Sequence, residues 1–71
     1  MQRITAMMAG IVAQVLVQPG ETVEPGQEVV VLESMKMQIP VTTPVGGTVR
    51  TLHTSEGAFV NEGDLLLELA P

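Results

Sequence analysis

The stretch GIVAQVLVQPGETVEPGQEVVVL (residues 10–32) and the stretch GTVRTLHTSEGAFVNEGDLLLEL (residues 47–69) are two versions of one pattern, Gly47 following Gly10 by 37 residues. They align without a gap and agree at six positions: Gly10/Gly47, Val12/Val49, Gly20/Gly57, Val23/Val60, Gly26/Gly63 and Leu32/Leu69. Half of these identities are glycines, the residue that takes positive φ in a tight turn without steric cost, so the turns repeat along with the strands. Each copy reads as strand, turn, short strand, turn, strand, with Pro19-Gly20 and Pro25-Gly26 marking the turns of the first and Glu56-Gly57 and Glu62-Gly63 those of the second. The predicted strands are 11–18, 28–34, 37–43, 48–54 and 65–70, with short extended pieces at Val23 and Val60 and an edge strand about Ile4. EVVVLE and DLLLEL are continuous apolar runs, which mark strands buried on both faces or crossing between sheets, and they leave the inward faces unassigned.

Each copy is too small to cover its own apolar face. Two of them can bury those faces against each other about an approximate two-fold axis. The expected fold is all-β, a flattened barrel or sandwich of two antiparallel sheets, as one domain over residues 1–71. A chain this short buries only about 60% of the surface its unfolded form exposes, so a deep, walled active site is not expected and presentation of a group is. With Phe59 the sole aromatic, the core is expected from Val, Leu, Ile, Ala and Met, a composition that suits strands.

There is no cysteine, hence no disulfide framework or thiolate metal site, and a reducing, cytoplasmic setting fits. No run of 18 consecutive apolar residues or long apolar stretch after Arg3 occurs, so neither export nor membrane spanning is expected. The formal charge is −5. Polyphosphate is repelled by such a surface and nucleic acid is not an expected partner, while the scattered acids read as a solvated face. His53 stands alone, Glu62 and Asp64 lack metal partners at ligand spacing, and Ser34, Ser55 and the threonines have no adjacent base. The glycine pairs precede no helical pattern and read as turns, not phosphate cradles.

The one lysine of the chain, Lys36, lies in ESMKM between the two copies. Pairing of 28–34 with 37–43 puts it at a hairpin tip. Its equivalent by the repeat falls past the C-terminus, so the expected two-fold mate of the lysine turn is the break between the chain ends, and lysine and termini are expected at opposite ends. A lysine amine in water is mostly protonated at neutral pH and a poor nucleophile unaided, so catalysis by Lys36 itself is not expected. What it offers is a single acylation point for a second enzyme.

Here the sequence resembles the biotinyl and lipoyl carrier domains, small β domains with a swinging cofactor on a lysine. Biotin acceptors typically carry Glu-Ala-Met-Lys-Met at the attachment turn, and this chain has Glu33-Ser34-Met35-Lys36-Met37, with Ser34 where alanine is usual. The resemblance covers nearly the whole chain, with Gly20, Gly26, Pro44, Gly47, Gly57 and Gly63 at the family's turn positions. It implies covalent biotin on Lys36, with Met35 and Met37 as flanking recognition residues and Glu33 and Ser34 in the attachment turn. Lipoyl acceptors usually have aspartate before the lysine and alanine after it, so the methionines favour biotin over lipoate, whereas Glu33 suits both. Ala6-Met7-Met8-Ala9-Gly10 replaces a proline-containing loop of many relatives, and the protruding thumb of some acetyl-CoA carboxylase carriers has no counterpart.

The implied role is that of a free-standing biotin carboxyl carrier, non-enzymatic and monomeric in isolation. A biotin protein ligase activates biotin as an adenylate and the deprotonated lysine attacks to give an amide. A biotin carboxylase and a carboxyltransferase are the implied working partners. Lipoate, attached by a lipoate ligase, is the alternative cofactor, and an unmodified β-sandwich adaptor is the alternative of a different class.

Overall fold

Four turns determine where the backbone reverses. Gly20, Gly26, Gly57 and Gly63 have φ of 96°, 86°, 91° and 89°. Each is the third residue of a turn closed by a bond to the carbonyl three residues back: Glu21 to Gln18 (3.1 Å), Gln27 to Glu24 (3.0 Å), Ala58 to Ser55 (3.1 Å) and Asp64 to Asn61 (3.0 Å). This is the type II pattern, in which the third residue needs positive φ, and Pro19 and Pro25 occupy the second position that proline favours.

The computed structural model describes residues 2–71. Between the turns, β-branched and leucine-rich segments form eight strands among the described residues: β1 (Gln2–Thr5), β2 (Gly10–Val15), β3 (Thr22–Val23), β4 (Glu28–Ser34), β5 (Met37–Thr42), β6 (Gly47–Leu52), β7 (Phe59–Val60) and β8 (Leu65–Ala70). They make two four-stranded antiparallel sheets, ordered β1-β8-β6-β3 and β5-β4-β2-β7. The repeat is reproduced in the ladders residue for residue. Val12 pairs with Leu32 and Val49 with Leu69; Val31 pairs with Pro40 and Glu68 with Arg3; Gly10 pairs with Val60 and Gly47 with Val23. The irregularities repeat too, since register shifts fall between Val12 and Gln14 in one copy and between Val49 and Thr51 in the other.

The short strands change sides. β3 follows β2 in sequence but pairs with β6 of the other sheet, and β7 follows β6 but pairs with β2. Turn amides seal this exchange: Gly20 N–H donates to the Val49 carbonyl and Gly57 N–H to the Val12 carbonyl, both at 2.8 Å. Val12 and Val49 are each 1% exposed. Around them the core is aliphatic, and its members come as repeat pairs such as Val23/Val60, Val30/Leu67 and Leu32/Leu69.

The expected two-sheet, all-β architecture is the observed one. Two strand ends differ by more than one residue: strands anticipated over 11–18 and 48–54 stop at Val15 and Leu52. After the register shift each segment leaves its ladder to cross to the other sheet, keeping one bond to the strand it left, Leu16 N–H to Val29 O and His53 N–H to Leu66 O. Two of the repeated glycines also have a different reason. Gly10 and Gly47 begin β2 and β6 and are not turn residues. A Cβ on Gly10 would lie 2.7 Å from the Glu33 carbonyl oxygen and one on Gly47 2.5 Å from that of Ala70, so close backbone approach selects glycine there.

A Cβ at Gly20 or Gly57 would meet no atom within 4 Å, so the cost of a side chain there is conformational alone. Gly20→Val and Gly57→Val should each destabilise by about 2 kcal/mol, which thermal denaturation would read as a fall of about 8–16 °C. Because the two turns are equivalent, the two losses should agree within about 0.5 kcal/mol; a large difference would show that the two crossings are not energetically equivalent.

Candidate functional site

The β4–β5 hairpin is the longest ladder in its sheet, paired from Glu28↔Thr42 to Ser34↔Met37. Only Met35 and Lys36 remain to close it. Both have positive φ, 53° and 65°, and they are the only non-glycine residues with positive φ among those described. Positive φ at both central residues of a two-residue loop is the type I′ hairpin turn, whose twist matches the flanking strands and which ordinarily selects Asn-Gly. A methionine and a lysine in that role cost on the order of 1–3 kcal/mol each and persist only where the surroundings impose them. The surroundings here are the stem. Leu32 is fully buried at its base, Glu33 pairs with Gln38 beyond it, and bare Gly10 lets β2 close against the Glu33 carbonyl.

The result is a fully paired stem with a solvated tip. Lys36 is exposed and Met35 is 92% exposed. Met37, opposite Ser34, is 64% exposed, and Glu33 is exposed one pair further down. No carboxylate forms an ion pair with Lys36 among the described residues; the ion pairs present involve Arg3, His53 and Glu68. All five residues of the ESMKM stretch therefore stand together on one hairpin, with the amine free. Such an amine is open to acylation by an enzyme that closes over the tip.

The other candidates have local occupations on other elements. Asp64 Oδ2 accepts from Asn61 N–H at 2.8 Å and so closes its own turn. Glu62 is the exposed second residue of that turn, and the Ser55 carbonyl accepts the closing bond of the preceding one. His53 Nε2 lies 3.0 Å from Glu68 Oε1, and Arg3 Nε lies 3.7 Å from Glu68 Oε2. The hydrogen bond from His53, aided by the charges of His53, Arg3 and Arg50 and opposed by desolvation, holds the Glu68 carboxyl below its ordinary range. This cluster belongs to the sheet that does not carry Lys36.

Two features of the tip have no signal in the residue pattern around it. The strained turn conformation lacks the Gly or Asn that announces a type I′ turn. The supporting role of Gly10 is a through-space contact between strands distant in sequence.

Comparison with known proteins places this arrangement. Residues 2–69 match the family model described as biotin-requiring enzyme, the biotin/lipoyl model. The chain is 49% identical to the biotin/lipoyl attachment protein of Bacillus subtilis over 94% of its own length and 92% of that protein. It is 42% identical to the biotin carboxyl carrier protein of Streptococcus mutans, covering 92% of this chain but half (50%) of that one. Among solved structures, the urea carboxylase of Kluyveromyces lactis superposes with a TM-score of 0.90 at 25% identity, over 97% of this chain and 6% of that one. The two-sheet fold thus coincides with a known kind of domain, and the chain belongs to the biotin/lipoyl attachment domain family.

Proposed function

We propose that this chain is a biotin carboxyl carrier, a single attachment domain over residues 1–71 that is not itself an enzyme and bears its cofactor on Lys36. The observation that carries the reading is the position of the sole lysine, exposed and unpaired at the tip of a strained two-residue turn on a firm stem. An amine so placed fits covalent attachment: acylation exchanges an N–H bond for an amide, removes one positive charge and changes the formal charge from −5 to −6. When attached, biotin supplies a ureido nitrogen able to carry carboxylate between two enzymes. The chain's own contribution is to hold the attachment point away from the body of the domain and to raise the local concentration of the carried group at its partners' sites.

The partners in this reading are a biotin protein ligase, which loads Lys36, and a biotin carboxylase and a carboxyltransferase, which use it. The names of the relatives support the biotin role, and the attachment protein's name extends to lipoate. Met35 and Met37, both exposed beside the amine, stand where a ligase choosing between the two cofactors reads the turn. A cytoplasmic location fits the cysteine-free sequence.

Co-expression with an active biotin protein ligase should raise the intact mass by one biotinyl group, and Lys36→Arg should abolish the gain; an unmodified wild-type chain beside active ligase overturns the reading. Exchanging the flanks, Met35→Asp with Met37→Ala, should move modification from biotin towards lipoate when both ligases compete, and an unchanged preference would locate the choice elsewhere on the scaffold. Strain at the tip makes a separate prediction. Lys36→Ala should leave the melting temperature nearly unchanged, whereas Lys36→Gly should gain about 1 kcal/mol by relieving the positive φ, a rise of about 4–8 °C, while losing all modification. A Lys36→Gly variant that melts with the wild type would mean that the turn stores no strain.

A further inference from the structure

The sole aromatic of the chain heads a row of side chains on the outer face of the β5-β4-β2-β7 sheet. Phe59 on β7 pairs with Ile11 on β2, and Ile11 pairs in turn with Glu33 on β4. Side chains paired across antiparallel strands share a face, with Cβ atoms about 4.5–5.5 Å apart. Their neighbours along the strands, Val60, Val12 and Leu32, are buried in the core, so the row faces solvent. Phe59 is 61% exposed and Ile11 41%.

The fold does not require an apolar row there, and the molecule contains the control. At the two-fold-related positions Thr22 pairs with Thr48, and Thr48 pairs with Ala70. The same ladder in the same register therefore forms with two threonines and an alanine. An aromatic, an aliphatic and an acid stand in their places only on the sheet that carries Lys36. Basic residues are divided unevenly. Arg3 lies on β1, Arg50 on β6 and His53 directly after β6, beside Glu68 on β8 of the same sheet, whereas the strands of the sheet that carries the row hold Glu28 and Glu33 and no basic residue.

We propose that the Phe59–Ile11–Glu33 row is the docking surface for the ligase that acylates Lys36, with Phe59 entering an apolar socket and Glu33 meeting a basic side chain beside it. This rests on the reading of Lys36 as the acylated residue. Reach selects the occupant. A ligase must take the lysine amine itself into its active site, and Lys36 is three residues from Glu33; β7 lies two strands from β4, about 10 Å away. An enzyme that closes over the tip therefore also covers the row, whereas enzymes that act on the far end of a swinging arm need not touch it. A second copy of the chain fits poorly, because a two-fold pairing centred on the row would set the Glu33 carboxylate of one copy against Phe59 of the other, a charge covered without a partner.

The threonines of the two-fold-related row supply substitutions that the ladder accepts, Phe59→Thr and Ile11→Thr. With a biotin protein ligase that modifies the wild-type chain, initial rates of biotin incorporation followed by intact mass should show the double variant's KM raised by about tenfold or more. Its kcat should stay within about twofold, the pattern of lost binding and not of lost chemistry, and its final mass and melting temperature should match the wild type. Glu33→Gln should raise KM and flatten its dependence on salt. A folded double variant with wild-type KM overturns the docking surface while leaving Lys36 as the acceptor. A wild-type chain that gains no mass with active ligase removes the acceptor reading beneath it.

Discussion

Val12 and Val49 hold the molecule together at its centre. Each donates its amide to the opposite turn and accepts an amide from it: Val12 N–H to the Ala58 carbonyl with Gly57 N–H returning to Val12, and Val49 N–H to the Glu21 carbonyl with Gly20 N–H returning to Val49. Both residues are buried, so these groups have no water to fall back on, and a lost partner there costs about 1–3 kcal/mol. The requirement explains why each short strand joins the sheet of the other repeat. A copy that kept its own short strand would leave the other's valine unpaired. The two halves are interlocked, and the aliphatic core between them is formed only when both crossings are made.

The lysine hairpin depends on that interlock. Two residues with positive φ that lack glycine's freedom are held by a ladder whose base, at Leu32, is part of the shared core. The stability of the sandwich is thus transmitted along β4 and β5 to a turn that its own residues disfavour. The turn is left in solvent, with the exposed Met35 and Met37 on either side of the amine. Polar residues elsewhere are used locally, as Asp64 and Glu21 are in accepting amides of their own turns.

Much of this was legible in the residue order, because a gapless repeat with glycines at matched positions constrains turns and strands together. The two sheets, the short strands at Val23 and Val60, and the placement of Lys36 between paired strands all follow from it. The destination of the short strands does not, since pairing across repeats leaves no local pattern. Strand ends at Val15 and Leu52 were overrun because a register shift is a backbone event that valine and leucine do not announce. Gly10 and Gly47 read as turn glycines until the carbonyls of Glu33 and Ala70 are seen against them. The exposure of Phe59 was hidden for a related reason: continuous apolar runs leave the faces unassigned, and an aromatic next to a buried valine has no visible direction.

The two-fold axis relates the β4–β5 pairing to that of β8 with β1, in which Leu69 lies opposite Gln2 as Leu32 lies opposite Ile39. Where one pair is joined by Met35 and Lys36, the other holds the beginning and the end of the chain. Any polypeptide continuing from either terminus leaves from the side of the molecule remote from the lysine. Such a unit can be carried on a tether without its handle being shadowed by whatever it is tethered to. The match to 92% of one relative and to 6% of another is in keeping with a fold whose lysine end stays clear of chain joined at either terminus.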